Sequence, residues 1–194
     1  MSDTPRIPHL TPPYDPDVQA GLTLMHPKDS PVEPLKLFRT IARHLPMGNA
    51  MGAIGRFMLG RNTTEAASFD LRMRELVIDR VTARCNCEYE WGVHVAAYGE
   101  KAQLTKEQVY SLVHGSGSDA CWSEKDKVVL DLVDQLHDSG QVSDETWAAL
   151  AAHYSQNTLL ELLVLAGWYH AISYLANGAR TELEAWAPRF PAKA

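Results

Sequence analysis

A chain of 194 residues, 45% hydrophobic and 22% charged, can bury a real core and is neither disordered nor fibrous. Its net charge of −6, with no stripe of Lys or Arg, disfavours phosphate backbones, so no nucleic-acid partner is expected. The first residues lack the basic stretch and apolar run of a secretory signal, and no apolar run reaches the ~20 residues of a membrane span, so a cytoplasmic location and no membrane partner are expected.

Residues 1–33 hold Pro5, Pro8, Pro12, Pro13, Pro16, Pro27 and Pro31, and Pro34 follows. Proline fixes φ and removes a donor, so this stretch reads as an extended, helix-free arm. It is either packed on the body or a neighbouring subunit, or it is a loose tail. Residues 34–190 then form one helical domain. Leu35, Phe38, Ile41, Ala42 and Leu45 recur at helical spacing, Pro46 and Gly48 interrupt, and Met51 to Leu59 suggest a second helix closed by Gly60-Arg61-Asn62.

Ser68 or Asp70 is positioned to cap a third segment carrying Leu71, Leu76, Val77, Ile78 and Val81. The pattern resets at Arg84 to Cys87, and a further helix runs through Trp91, Val93 and His94 to Gly99. Thr105 to Gln108 reads as a capping box, Ser123 and Ser143 open two more helices, and Gly140 closes one. A last helix, about Asn157 to Leu183, is apolar nearly all round and must therefore be buried on all faces, in the core or at a subunit interface. No strand-like alternation competes, so the fold class is all-α.

Chemistry concentrates between Glu75 and His94. Cys87, Glu90 and His94 are spaced i, i+3, i+7, which at about 3.6 residues per turn places them on one helix face. A cysteine at a helix start faces unpaired amides, which favour thiolate, the reactive form. Glu75 lies twelve residues before Cys87 and returns to the same place only if the chain turns near residues 84–86. A carboxylate beside an imidazole can orient it for proton transfer. The bland alternatives are a buried, inert Cys87, a Glu75 paired with Arg72 or Arg80, a Glu90 satisfying the helix dipole and a core His94. Tyr89 and Trp91 read as core, as do Trp168, Tyr169 and His170, and Cys121 reads as incidental. Zinc on Cys85, Cys87 and His94 lacks a fourth ligand, so no metal or other cofactor is expected.

The order Glu75, eleven residues, Cys87, two residues, Glu90, three residues, His94 resembles the signature of alkylhydroperoxidase D, with Glu90 where that family has its second cysteine. Glu88-Tyr89-Glu90-Trp91 through His94, and the stretch Pro34 to His44, resemble a broader branch of carboxymuconolactone decarboxylase-like proteins. The resemblance implies an AhpD-like helical bundle, a homo-oligomer, and a catalytic set of Glu75, Cys87, Glu90 and His94. It implies a peroxidase-like oxidoreductase in which Glu75 and His94 relay a proton for Cys87 and an external thiol acts as reductant. With Glu90 in place of a cysteine the family's disulfide cannot form, and a Cys85–Cys87 pair is strained. Two other classes stay open. One is a lyase or isomerase acting on a small lactone or carboxylic acid through His94 or Glu90, and the other is a non-catalytic oligomeric binding protein.

Overall fold

The computed structural model describes residues 4–26, 33–60 and 66–193, and among these it contains helices and no strand. The chain divides into two units, residues 1–67 with 176–185 and residues 68–175 with 186–194.

In the first unit, α1 is Pro16–Met25, α2 is Lys36–Ile41, a single 3-10 turn spans Ala42–His44, and α3 is Leu45–Met58. The expectation of a helix-free arm is corrected by α1. Pro16 stands in the first turn, where its missing N–H would have had no helical partner anyway, and no proline follows before the helix ends. The same reasoning corrects the reading of Pro46 and Gly48 as a break, because both lie in the first turns of α3. Gly48 is there for close packing: a Cβ would stand 3.0 Å from the Met25 side chain and 3.2 Å from that of Ile41. Residues 4–15 hold no helix. The Arg6 and Ile7 amides donate to the Ala179 carbonyl, and Arg43 Nε donates to the Pro8 carbonyl at 2.7 Å. Pro27, Pro31 and the proposed closure at Arg61-Asn62 lie outside the described residues.

The second unit is built on α4 (Leu71–Arg84), α5 (Glu88–Tyr98), α6 (Lys106–His114), α7 (Glu124–Ser139), α8 (Asp144–Ala151) and most of α9 (Gln156–Ala179). Asp70, rather than Ser68, caps α4, accepting from the Met73 amide at 2.8 Å. Capping boxes open α6 at Thr105 and α7 at Ser123, and Ser143 caps α8. Gly140 ends α7 in the left-handed conformation that glycine adopts without strain.

Three arginines on α4 reach three aspartates on α7 at a constant sequence offset: Arg72 with Asp126, Arg80 with Asp134, and Arg84 with Asp138. A constant offset, rather than a constant sum, means that the two helices run parallel. Arg80 is the buried rung, bidentate to Asp134 at 2.7 and 2.8 Å and donating to the Leu112 carbonyl at 2.9 Å. Fork-to-fork geometry of this kind fixes register as well as distance.

Within the single chain the last helix is not buried on all faces. Leu162, Leu165, Ala166, Tyr169 and Ile172 are buried, but Leu160, Val164 and Tyr174 are 61%, 51% and 68% exposed in the single chain. The helix ends at Ala179, before Leu183. At 24 residues and a mean hydropathy of 1.4 over an 18-residue window, α9 does meet the length and composition of a membrane span, contrary to the sequence reading. Within the chain 44% of that window is buried.

Candidate functional site

The reversal between α4 and α5 creates the site. Cys85 is the C-cap of α4, and Asn86 follows at φ +50°. Asparagine tolerates that left-handed conformation better than most residues. The Asn86 amide then bonds the Ala83 carbonyl at 2.9 Å and the Cys87 amide bonds the Thr82 carbonyl at 2.8 Å. This pair of bonds is the Schellman arrangement that stops a helix and turns the chain. Cys87 becomes the N-cap of α5, and the chain folds back so that α5 lies along α4.

That return brings Glu75 to His94. Glu75 has no exposed surface, and its Oε2 accepts from His94 Nδ1 at 2.8 Å while its Oε1 accepts from Arg74 Nε at 2.7 Å. The sequence-based alternative, pairing of Glu75 with Arg72 or Arg80, is corrected: those arginines are engaged by Asp126 and Asp134. The other face of the imidazole is equally occupied. His94 Nε2 lies 3.4 Å from Glu90 Oε1, one helical turn back, and 3.1 Å from the Tyr169 hydroxyl on α9. Tyr169 meets the His94 ring edge-on at 5.2 Å, and Arg74 stacks its guanidinium 4.6 Å from the centre of the Tyr98 ring. Tyr169, read from sequence as core, is thus part of this cluster. The helical pattern gave only its burial, since its partner lies seventy-five residues away.

The electrostatics follow from this arrangement. Burial opposes a charge on His94, but the Glu75 carboxylate, its hydrogen bond and Glu90 together outweigh it and raise the pKa to about 10. At neutral pH the ring is therefore an imidazolium that donates from both nitrogens. Burial, with Glu75 and Glu90 nearby, holds the Tyr169 phenol well above its ordinary range. Asp79 lies one turn beyond Glu75 on α4, fully buried, with neither carboxyl oxygen hydrogen-bonded. Burial and the neighbouring Glu75 push its pKa well upward.

Cys87 departs from expectation. Its position at the start of α5 is as expected, but its thiol is fully buried and its pKa is pushed up to about 12. Burial is the dominant cause; the Glu90 backbone N–H and the Ser173 hydroxyl favour the thiolate but do not compensate. At rest the sulfur is a thiol, and the sequence-based expectation of a thiolate is corrected. Glu90 sits three residues on, and its Oε2 is buried without a hydrogen-bond partner. Of the residues singled out in the sequence, Glu75, Glu90 and His94 form one hydrogen-bonded and ion-paired group, and Cys87 stands at the head of the same helix. Cys85 and Cys121 are half-buried and take part in no disulfide.

The C-terminal segment closes over α5. Phe190 packs on Trp91 with ring centres 5.1 Å apart, and its amide donates to Glu88 Oε1 at 2.9 Å. A cavity of about 550 Å³ in the first unit, lined by Leu10, Tyr14, Val18, Arg43 and Pro46 among others, contains none of these site residues.

Residues 51–132 match the sequence model of the Carboxymuconolactone decarboxylase family. Three solved structures share the fold. ATU0492 from Agrobacterium tumefaciens, a protein of unknown function and candidate antioxidant defence protein AhpD, is 16% identical, with a TM-score of 0.62 over 71% of this chain and 90% of its own. A cysteine-to-alanine variant of the debrominase Bmp8 in complex with 2,3,4-tribromopyrrole is 10% identical, with a TM-score of 0.70 over 93% and 92% of the two chains. Bmp8 without ligand is 11% identical, with a TM-score of 0.68 over 95% of each. No curated protein matches the chain by sequence.

Proposed function

We propose that this protein is a thiol-dependent, peroxidase-like oxidoreductase acting on a small organic hydroperoxide. The observation that carries the reading is Glu90, whose Oε1 faces His94 at 3.4 Å while its buried Oε2 has no partner, in the first turn of the helix that Cys87 caps. A base so placed activates a thiol that is protonated at rest. Glu90 takes the proton from Cys87, and the sulfur attacks the outer peroxide oxygen. The O–O bond breaks, sulfur is oxidised to the sulfenic acid, and the leaving alkoxide takes a proton from the His94 imidazolium. Glu90 then returns its proton to His94, and Glu75 holds the ring in register throughout. Two equivalents of an external thiol reduce the sulfenic acid, releasing water and a disulfide of the reductant. The kinship with a candidate antioxidant protein supports this reading.

A second reading has a specific observation in its favour. A thiol of pKa about 12 is a poor resting nucleophile, whereas a cationic His94 between two carboxylates is a ready proton donor. In that case the enzyme is a lyase or isomerase of a small lactone or carboxylic acid, and Cys87 is a bystander. The debrominase among its structural neighbours supports a wider range of small-molecule chemistry on this fold.

Steady-state reduction of cumene hydroperoxide with dithiothreitol as reductant tests the first reading. Cys87→Ser is expected to abolish turnover, and Glu90→Gln to reduce it at least tenfold, within the 10²–10⁴-fold range typical of general acid–base groups. Turnover that survives Cys87→Ser overturns the thiol reading. Loss of a lactone or carboxylic-acid reaction on His94→Gln, with Cys87→Ser active, would establish the second.

A further inference from the structure

Cys85, whose thiol shares the Ser173 hydroxyl with Cys87, has further company of its own. The sulfur of Cys85, at the end of α4, a ring nitrogen of His137, in the last turn of α7, and a ring nitrogen of His170, on α9, all lie within 4.8 Å of one another. All three residues are half-buried, so the cluster is reachable from solvent yet held by three separate helices. Among the described residues Cys85 is grouped as a ligand with His137 and His170, rather than with Cys87 and His94.

Two further observations describe how this trio is prepared. His170 Nδ1 donates to the Ala166 carbonyl at 2.8 Å, one turn back on its own helix. That bond commits the proton to Nδ1 and turns the Nε2 lone pair toward His137, whose Nδ1 lies 3.0 Å away. A backbone carbonyl fixing the far nitrogen is the usual support of a metal-bound imidazole, orienting the ring and raising its basicity. The second observation concerns His137, whose ring centre lies 5.2 Å from that of His170 with the planes tilted by 30°, so the two imidazoles already stand side by side. Tetrahedral bonds of about 2.0–2.1 Å set ligand nitrogens roughly 3.4 Å apart, so the two rings need separate by only a few tenths of an ångström to admit an ion.

We propose that Cys85, His137 and His170 form a binding site for a borderline-soft divalent cation of the zinc class, with one thiolate and two neutral imidazoles as ligands and the fourth position open. Mixed sulfur and nitrogen donors in this number select zinc over calcium or magnesium, which take oxygen ligands. Binding releases the Cys85 thiol proton, and the ion replaces the His137–His170 hydrogen bond. The ligands come from α4, α7 and α9, so occupancy ties three helices together at the end of α4 where the chain turns toward Cys87. The site does not depend on the function proposed above.

The test is titration of the chelator-treated full-length protein with Zn²⁺ against a chromophoric competitor, followed by Co²⁺ as a spectroscopic probe. One equivalent of Zn²⁺ is expected to bind per chain. Cys85→Ser and His137→Gln should each weaken binding by at least about 100-fold, beyond the 10–100-fold that loss of an outer-shell partner costs. Cys121→Ser should bind as the parent does. Co²⁺ bound to the unsubstituted protein should show a thiolate-to-metal charge-transfer band, which identifies the sulfur ligand without relying on any variant to fold. No stoichiometric Zn²⁺ binding, binding unaltered by Cys85→Ser, or a cobalt spectrum lacking the thiolate band would each overturn the proposal.

Discussion

Glu75 and His94 are nineteen residues apart on two successive helices, and they meet at 2.8 Å in a place with almost no exposure to water. The ion pair exists because Asn86 turns the chain through a left-handed conformation between them. It sets the charge state of the whole cluster.

Protonation of His94 makes stability depend on pH in a defined direction. The folded-state pKa of about 10 lies above the ordinary value of 6.5. The stabilisation is therefore fully present below pH 6.5 and is lost as pH rises through 10. Asp79, whose pKa is also raised by burial and Glu75, acts in the same direction from the acid side. Urea unfolding across this range should show a midpoint that falls as pH rises. His94→Gln should flatten the upper part of the curve, and a midpoint that rises through the same window would contradict the assignment.

The Cys87 thiol should be slow to alkylate at neutral pH. With a pKa of about 12 and no exposed surface, its rate should rise about tenfold per pH unit between pH 7 and 10, without a plateau. Cys121, half-buried, should react first. Peptide mass spectrometry after timed iodoacetamide exposure distinguishes the sites. Saturation of Cys87 labelling near pH 8 would show a normal thiol.

Asp79 is a carboxyl group that the fold does not satisfy. Neither oxygen has a hydrogen-bond partner, and a buried unsatisfied polar group costs about 1–3 kcal/mol. Asp79→Leu should raise stability by a similar amount at neutral pH, read as a higher urea midpoint with unchanged slope. A destabilised variant would mean that the carboxyl is engaged in a way its geometry does not reveal.

Tyr169 touches the imidazole directly, so its hydroxyl should matter more to turnover than to folding. Tyr169→Phe removes a bond of the kind worth about 0.5–1.5 kcal/mol and should slow the proposed reaction up to roughly tenfold, with little change in melting temperature. Equal loss of stability and activity would reduce Tyr169 to a packing residue.

Gly92 marks where the C-terminal segment crosses α5. A Cβ there would stand 2.4 Å from the Pro188 carbonyl oxygen, closer than atoms approach. Gly92→Ala should cost about 1–3 kcal/mol, the usual penalty for overpacking, and should expose Trp91 to a fluorescence quencher. An unchanged melting temperature and quenching would show that the segment lifts without cost.

The helices were readable because their signals are local. Capping residues such as Thr105, Ser123 and Ser143, and the apolar spacing of α4 and α7, act within a few residues. The i, i+3, i+7 spacing likewise put Cys87, Glu90 and His94 at one end and along one face of a single helix. What could not be read depends on tertiary context. Nothing near Tyr169 signals its partner on another helix. The pKa of Cys87 turns on the degree of burial, which overrode the favourable helix terminus. The company of Cys85 was misjudged for a related reason, since His137 and His170 lie more than fifty residues away in sequence. Proline counting failed at Pro16 and Pro46 because position within a helix, rather than composition, decides what proline does.

The most direct test of the central claim is intact-protein and peptide mass spectrometry of the reduced protein after a sub-stoichiometric pulse of cumene hydroperoxide. The account predicts that Cys87 gains one oxygen atom, trapped as the sulfenic acid by dimedone, and that Glu90→Gln suppresses the modification while Cys121 stays reduced. A Cys87 that remains unmodified, with hydroperoxide unconsumed, would contradict the thiol mechanism and leave His94 and its two carboxylates as the chemistry of this fold.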